Sequence, residues 1–433
     1  MSEAIKICGI QAEKGRWILV VAGMMIELCL GSIYAYSILS VPLMELFGRR
    51  GLQVSATAMQ APYMTLLVVT ALTMPLVGQF IERFGPRRVS MIGGVLTGLG
   101  WFLASTARSP AELAVTYGIV GGLGVGLTFN CPITTSARWF PDKRGLAVGL
   151  TVLGFGFSAA LTGPLSDYLT VNCGGIINTF RIFGVSFILI ILLLSLPLTF
   201  PSKDWTPRGW RPPLISPDAQ ESVDLKREQM VRSPRFYGLW LCYAIGTLAG
   251  LMAVGVAKPM GLEVAKNAGM DDVMASALMT ELIVPFALCN GLGRPIFGWL
   301  TDRLNPARAA VPSYILILFA SLLMYSFPSS VLIYAVSFAL LWLCLGSWEG
   351  ITPAATAVYF GTKDYPRNYG LVCTAYGAGA VVGNVLVGQV RDLLGDYVSV
   401  FPIVAAMAVV GVILALMLMK PAESPHSLLP FNS

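Results

Sequence analysis

The sequence has few charged residues. Lysine, arginine, aspartate and glutamate make up 12% of its 433 residues, whereas soluble domains carry roughly 25%. Hydrophobic residues make up 55%. A helix needs about 20 apolar residues to cross a bilayer, so twelve crossings use about 240 residues and leave the rest for loops and tails. The composition predicts a polytopic membrane protein and excludes a soluble enzyme with one anchor.

Histidine and paired cysteines are also missing. His426 is the single histidine, and the eight cysteines form no C-x-x-C pair, which argues against histidine catalysis, a disulfide framework or a metal centre. The glycines form neither G-x-G-x-x-G nor G-x-x-x-x-G-K-[ST], the loops that cradle phosphates. We therefore predict no enzyme activity and no cofactor. The basic residues are scattered between apolar runs, so no nucleic-acid partner is expected and no required protein partner is evident.

Apolar segments fall into two groups of six. They lie at 17–46, 54–82, 88–107, 112–138, 145–169 and 176–200, and then at 235–262, 273–301, 309–327, 330–359, 368–391 and 397–419. Between the groups, 201–232 holds 11 charged residues and five prolines, as is typical of a polar connector. We predict an N-terminal half at 1–200 and a C-terminal half, with a short tail, at 233–433.

The distribution of lysine and arginine predicts the orientation. With the segments alternating across the bilayer, 21 of these residues lie on the side of the N-terminus, and five clear cases lie on the other side. Cytoplasmic loops carry the excess of positive charge. Both termini and the connector are therefore predicted to be cytoplasmic in a multi-pass protein of the cell (inner) membrane.

A glycine followed four residues later by an acid recurs along the chain. The pairs, at the ends of the second, fifth, eighth and eleventh segments, are Gly78/Glu82, Gly163/Asp167, Gly298/Asp302 and Gly388/Asp392. In the predicted topology the first and third pairs lie inside and the others outside. Inverted three-helix units nested in two parallel halves produce this pattern. We predict an all-α fold of twelve transmembrane helices in two six-helix halves, each built from inverted three-helix repeats.

Two loops resemble the inter-helix signature of the major facilitator superfamily. They read GQFIERFGPRR at 78–88 and GWLTDR at 298–303, with Glu82 in place of the more usual aspartate. Four further segments, at 31–37, 138–147, 290–299 and 359–377, resemble the oxalate:formate antiporter family and the related monocarboxylate porters. The resemblance covers nearly the whole chain and implies transport by alternating access.

The resemblance also implies site residues. Arg294 stands at the place of the eighth-helix arginine that pairs with the substrate carboxylate. Tyr376 stands where the oxalate exchanger has a lysine on its eleventh helix, which favours a monocarboxylate over a dianion such as oxalate. Animal monocarboxylate porters have a proton-coupling acid four residues before the arginine. Asn290 stands there in this sequence, so a proton site would lie elsewhere.

Ionisable residues deep within the predicted helices indicate the same substrate site without reference to the family. Such residues cost ~2.5 to 3.5 kcal/mol to insert and by default indicate function, and the helical rise places Glu27, Arg294 and Glu349 near the midplane. The planar guanidinium of Arg294 fits a carboxylate with two hydrogen bonds, and Asn290, one turn earlier, shares its face. An ion pair between Arg294 and either glutamate is the alternative. Glu349 and Glu27 are the proton-coupling candidates, with a permanently protonated acid as the alternative.

Two further groups of residues are predicted to serve transport. Aromatic and small polar residues that could shape the substrate pocket are Tyr34, Phe129, Asn130, Trp348 and Tyr376, with plain helix packing as the alternative for each. Residues predicted to gate the cytoplasmic side through charge networks between the halves are Gly78, Glu82, Arg83, Arg87, Gly298, Asp302 and Arg303. Solvated surface pairs are the alternative for that group.

These observations predict a secondary transporter of small monocarboxylates of the lactate, pyruvate or formate kind. Its partners would be a small carboxylate anion, a proton or a second anion, and the lipid bilayer. Two other functions stay open at this point. One is a drug/proton antiporter, because acids outnumber arginine within the membrane and Gly163-Pro164 resembles part of an antiporter signature. The other is a membrane sensor that binds a ligand without transporting it.

Overall fold

The computed structural model describes residues 6–202, 205–207, 224–361 and 364–419. A short hairpin of β1 (Lys6–Ile7) and β2 (Ile10–Gln11) precedes the first helix. The helices before the connector are α1 (Ala12–Leu30), α2 (Tyr36–Arg49), α3 (Ala56–Phe84), α4 (Pro86–Ala104), α5 (Pro110–Leu113), α6 (Gly122–Trp139), α7 (Arg144–Asn172) and α8 (Ile176–Ser195). The later helices are α9 (Arg227–Met230), α10 (Pro234–Asn267), α11 (Asp272–Leu304), α12 (Pro306–Ser326), α13 (Val331–Phe360), α14 (Tyr365–Val372), α15 (Thr374–Leu394) and α16 (Phe401–Leu418).

Several spans combine helical pieces. The first span joins α1 and α2 through a 3-10 segment, Gly31–Ala35, and the fourth joins α5 and α6 through a π-helical segment, Ala114–Gly121. Within the described residues, eleven helical segments are long and apolar enough to cross a membrane. The remaining long helix, α4, has Arg87 and Arg88 in its first turn, which lowers its hydropathy. It packs between α6 and α8 all the same, in the place predicted for the third span.

Packing within the two halves follows the same scheme. In the N-terminal half, α1 packs on α7, α3 on α6, and α4 on α8. The corresponding pairs in the C-terminal half are α10 with α15, α11 with α13, and α12 with α16. Equivalent helices of the two halves therefore have equivalent neighbours, which confirms the predicted twelve-helix plan in two related halves.

The halves meet mainly along two helix pairs, α3 with α15 and α7 with α11, and smaller contacts join α2 to α10 and α14 to α3. Small residues allow the close approach of the second pair. A Cβ atom added to Gly156 of α7 would lie 2.7 Å from the Cα atom of Gly291 in α11. Farther along the same interface, a Cβ atom on Gly163 would lie 3.2 Å from the Ile283 side chain. The α7–α11 pair therefore brings side chains of both halves together in the middle of the protein.

Both described ends of the connector are attached to helical bundles. Trp205 packs edge-on against Trp139 of the N-terminal half, with 4.7 Å between ring centroids. At the other end, the Leu225 amide donates to the Phe360 carbonyl at 3.0 Å, and Asn368 donates to the Leu225 carbonyl at 2.9 Å. The predicted connector range 201–232 lies partly outside the described residues.

Candidate functional site

Arg294 lies on α11 at the centre of the interface between the halves. Its exposed fraction is 7%, yet within the described chain none of its three guanidinium nitrogens has a hydrogen bond of standard geometry, although the Tyr34 hydroxyl lies near the guanidinium. Buried polar groups in proteins are nearly always hydrogen-bonded, and a buried charge without a partner is costly. A buried guanidinium with free donors can receive an anion in a bidentate arrangement.

Residues of the N-terminal half face Arg294. The Phe155 ring of α7 lies 5.5 Å from its guanidinium carbon, within the range of a cation–π interaction. Next to Phe155, a Cβ atom on Gly156 would lie 3.2 Å from the Arg294 Nε atom, so glycine leaves room for the guanidinium. Phe129 packs edge-on against Phe155 with 5.3 Å between centroids. The predicted site residue Phe129 therefore contacts Phe155, and the Phe155 ring lies between it and Arg294.

Two tyrosines connect the halves beside this ring. The Tyr34 and Tyr376 hydroxyl oxygens lie 2.9 Å apart. Tyr34 belongs to the 3-10 segment of the first span and packs edge-on against Phe155 at 5.1 Å. Tyr376 lies near the start of α15. The structure thus brings together two residues predicted for the pocket, one from each half.

Two carboxyl groups flank the guanidinium, of which Glu27 is buried and Glu349 is half-buried. Glu27 of α1 is fully buried, and neither of its carboxylate oxygens has a hydrogen-bond partner among the described residues. Glu349 of α13 accepts a hydrogen bond of 2.6 Å from the Tyr243 hydroxyl. Each glutamate is close enough to Arg294 to interact with it electrostatically, but neither forms an ion pair within 4.0 Å in the described chain. One acid from each half is therefore available to balance the charge of Arg294.

Three other predicted residues have less direct positions. The Asn290 amide donates to the Trp342 carbonyl at 3.2 Å, which ties α11 to α13, while its carboxamide oxygen is buried and has no hydrogen-bond partner in the part of the chain that the structure describes. Trp348 stacks on Tyr243 at 6.3 Å, and its indole nitrogen faces Gly246 of α10. Asn130 is half-buried, and its backbone carbonyl accepts a hydrogen bond from the Thr134 hydroxyl at 2.7 Å.

The predicted gating residues lie at the ends of α3, α4 and α11. Glu82 pairs with Arg138, which belongs to the same half. Arg83 lies over Phe84, and Arg303 over Trp299 of its own helix. Arg87 and Asp302 are exposed, Gly78 is half-buried, and a Cβ atom on Gly298 would meet nothing within 4 Å. The described contacts of these residues stay within one half, and their gating role stays a prediction.

The structure adds site residues that sequence reasoning missed. Phe155, Tyr243 and Trp342 contact the predicted residues, but nothing distinguishes an aromatic residue in an apolar helix before its neighbours are known. Lys258 was also missed, although a lysine within an apolar segment is a recognisable signal. It is buried and pairs with Asp167 across the interface between the halves. Among the described residues there is no cluster of three or more histidine, cysteine or acidic side chains that could hold a metal.

Two bundles of long apolar helices surround a buried arginine that has no ion pair among the described residues, and together they define a polytopic membrane transporter. The chain belongs to the Major Facilitator Superfamily, whose family model matches residues 20–280 and 244–432. The resemblance found in the loops at 78–88 and 298–303 is therefore confirmed.

Three relatives indicate the relevant branch of the superfamily. The oxalate:formate antiporter of Oxalobacter formigenes is 28% identical over 386 residues, which cover 88% of this chain and 86% of that protein. Monocarboxylate transporter 13 of Bos taurus is 27% identical over 76% of this chain and 72% of its own length. Apicoplast pyruvate carrier 1 of Toxoplasma gondii is 23% identical over 88% of this chain and 85% of its own length. The predicted likeness to oxalate:formate antiporters and monocarboxylate porters is confirmed.

Proposed function

We propose that this protein is a secondary active transporter of small monocarboxylates, of the lactate, pyruvate or formate kind, and that Arg294 receives the carboxylate. The observation that carries the proposal is the guanidinium itself, which is buried between the halves and whose three nitrogens have no hydrogen bond of standard geometry with the described residues. The names of the relatives, which include formate, monocarboxylates and pyruvate, support the same class of substrate.

The surroundings of Arg294 favour one carboxylate over two. Tyr376 stands where a second cation would be needed for a dianion, and a tyrosine hydroxyl binds a carboxylate without adding charge. Phe155 and Phe129 give the pocket an apolar wall that suits a short carbon chain. A dicarboxylate would leave one negative charge among these aromatic side chains without a cation, which is costly.

Charge balance supports a role for the two glutamates. Arg294 compensates one ionised carboxyl group, so a site with both glutamates ionised and a bound monocarboxylate would carry two excess negative charges. Protonation of Glu349 and Glu27 removes these charges. We therefore propose Glu349 and Glu27 as the proton-coupling residues if transport is symport, while exchange would need a second anion at Arg294 in their place. Tyr243, which donates to Glu349, would position that carboxyl group.

The remaining expectations form part of the same proposal. The two halves, at 1–200 and 233–433, would rock about the central site, with both termini and the connector in the cytoplasm and the protein in the cell (inner) membrane. Loop residues such as Glu82, Arg83 and Asp302 would exchange partners as the cytoplasmic side opens. Asn290, Tyr34, Asn130 and Trp348 would complete the substrate pocket.

Counterflow in proteoliposomes tests the proposal. Purified protein is reconstituted and loaded with lactate, pyruvate, formate or oxalate, and uptake of the labelled acid is measured with and without a pH gradient. We expect Arg294→Gln to reduce uptake at least a hundredfold, because a charged bidentate contact is lost. Arg294→Lys should recover only part of it, since lysine lacks the planar fork.

The matched control is Arg49→Gln, since the Arg49 side chain is 79% exposed. This variant should transport at the wild-type rate. Wild-type uptake by Arg294→Gln would overturn the assignment of the substrate site. Competition by lipophilic cations in place of carboxylates would favour a drug/proton antiporter, and binding of pyruvate without flux would favour a sensor.

A further inference from the structure

The two acids that mark the ends of α7 and α15 both bond to the opposite half. We use the term outer face for the side of the protein on which α7 ends and α11 begins. On this face the Asp167 carboxylate of α7 accepts a hydrogen bond of 2.8 Å from Lys258 of α10. The Asp392 carboxylate of α15 accepts hydrogen bonds from the Ala56 and Thr57 amides of α3, at 2.7 and 3.0 Å. These contacts join the halves at the outer face.

The two contacts differ in one respect. Asp392 is held by neutral groups at the start of α3, which are the Ala56 and Thr57 amides and the neighbouring Ser55 and Thr57 side chains, and among the described residues no ion pair joins it to the opposite half. Asp167 instead meets Lys258, whose side chain is 4% exposed. Burying a lysine is costly unless its charge is paired. Since the repeated motif closes the face at Asp392 without a lysine, closure alone does not account for Lys258.

Lys258 has a second partner within its own half. Its ammonium group also donates to the Thr280 hydroxyl of α11 at 2.8 Å. The same hydroxyl lies 3.4 Å from the Asp167 carboxylate, so a carboxylate at this position is within reach of both groups. When the halves separate, Asp167 leaves with the N-terminal half, while Lys258 and Thr280 stay together. An ammonium group beside a hydroxyl is then open to the outer solution without its counter-charge.

Thr280 and Arg294 belong to the same face of α11. They are separated by 14 residues, which corresponds to about 3.9 turns and about 21 Å of α-helix. Both face α7, where Asp167 lies beside Thr280 and Gly156 beside Arg294. One face of α11 therefore extends from the Lys258 contact at the outer face to Arg294 at the centre of the protein.

We propose that Lys258 and Thr280 form an outer receiving site for the carboxylate of the substrate, and that Asp167 occupies this site while the outer face is closed. The proposal rests on the proposed function, because it assumes that the substrate is a small carboxylate. An incoming anion replaces the Asp167 carboxylate at Lys258. The contact that closes the outer face is therefore broken in the same step in which the anion is bound. The anion then moves along the face of α11 to Arg294.

Two variants distinguish a receiving site from a simple latch. A simple latch is broken by either Asp167→Asn or Lys258→Met, so both should favour the outward-open state and lower the KM for pyruvate at the outer face. If Lys258 belongs to a receiving site, the two variants should change the outer KM in opposite directions. We expect Asp167→Asn to lower the outer KM about threefold, because a competing carboxylate is removed, and Lys258→Met to raise it about tenfold, because attraction of the anion is lost.

Initial rates of pyruvate uptake are measured in vesicles of one orientation, and efflux from the inner face serves as an internal comparison. Lys258→Met should change the inner KM less than the outer KM, and Lys258→Arg, which keeps the charge, should leave the outer KM within about threefold of wild type. Lys266→Met is the matched control, since Lys266 is exposed near the end of the same helix. A fall in the outer KM of Lys258→Met, or a change of less than twofold, would overturn the proposal.

Protection of Lys258 from chemical modification tests the receiving site independently of the proposed transport function. In Asp167→Asn, trinitrobenzenesulfonate is applied from the outer face, and modification of Lys258 is compared with that of Lys266 by mass spectrometry of their peptides. We expect pyruvate to slow the reaction of Lys258 at least threefold and that of Lys266 not at all. If pyruvate gives no protection, the receiving site is wrong even when pyruvate is transported. If pyruvate protects Lys258 but no monocarboxylate is transported, the receiving site stands and the proposed function fails.

Discussion

The hydroxyl groups of Tyr34 and Tyr376, from opposite halves of the protein, lie 2.9 Å apart next to the Phe155 ring that faces Arg294. This bond closes the space between the halves at the level of the central cation. It must break when the halves separate on that side. Each hydroxyl group can also donate a hydrogen bond to a bound carboxylate without adding charge.

Removing either hydroxyl should weaken the site by a similar amount. We expect Tyr34→Phe and Tyr376→Phe each to raise the KM for pyruvate about fivefold, since one hydrogen bond contributes about 1 kcal/mol. The double variant should cost no more than one single variant, because residues that bond to each other are not additive. Uptake kinetics for all three variants give the comparison, with Tyr237→Phe, at an exposed position, as control. Strictly additive effects would show that the two hydroxyls act separately.

Glu349→Gln tests proton coupling. The amide cannot take up or release a proton, while its size and its contact with Tyr243 are largely retained. We expect pyruvate counterflow to persist and accumulation driven by a pH gradient to fall at least tenfold. Glu281→Gln is the matched control, because Glu281 is exposed on α11. Undiminished accumulation by Glu349→Gln would transfer the role to Glu27, for which Glu27→Gln is the corresponding variant.

Gly346→Ala should destabilise the protein through backbone crowding. The added Cβ atom would lie 1.9 Å from the Asn290 carbonyl oxygen, and backbone atoms cannot move aside without displacing α11. We expect a loss of about 1 to 3 kcal/mol of unfolding free energy, with reduced transport because α11 carries Arg294. At Gly149 a Cβ atom would meet nothing within 4 Å, so Gly149→Ala should be as stable as wild type or more stable. Unfolding of the purified variants in detergent should separate the two, and equal stability would contradict the packing described.

The pair of Arg16 and Asp142 should make stability depend on acid pH. Arg16 donates to both Asp142 carboxylate oxygens, at 2.6 and 2.9 Å, and this contact holds the pKa of Asp142 below its usual range. A lowered pKa contributes stability that is complete above the unfolded-state value, about 3.9, and is lost as the pH falls through the folded-state value.

Asp142→Asn should therefore be less stable than wild type by about 2 kcal/mol at neutral pH, and the difference should shrink below about pH 4. Unfolding curves of wild type and variant at both pH values provide the measurement. Glu45→Gln is the control, because the Glu45 side chain is 62% exposed in its pair with Arg49 and such pairs contribute at most about 1 kcal/mol. A difference that does not change with pH would rule out the ionised contact.

Part of this site could be predicted from the sequence because charges are rare within the spans. Arg294, Glu27 and Glu349 stand out against their apolar surroundings, and the structure places all three near one another. Tyr376 has no such signal and was indicated only by its position in the family. The two halves were visible in the repeated glycine and acid pairs, because the spacing of these pairs does not depend on tertiary structure.

Other parts could not be predicted because they depend on contacts between distant helices. Phe155 is a site residue only because α7 crosses α11 at Gly156 and Gly291. Lys258 had a signal, but its partner Asp167 lies 91 residues away, and only the packing of the halves brings them together. The 3-10 segment of the first span contains no proline, so the sequence did not predict the change of helix type there.

This 3-10 segment has a geometric consequence for the first span. Each of its five residues, Gly31–Ala35, turns the chain by about 120°, as against about 100° in an α-helix. Over five residues the excess amounts to about 100°, which is the turn of one α-helical residue. The outer part of the span is therefore out of phase with the inner part by one residue, and it faces α10 as well as α7. A single-residue deletion within Tyr36–Arg49 would shift the phase of every side chain beyond it by this same angle, so the span cannot be shortened by one residue without losing its match to α10.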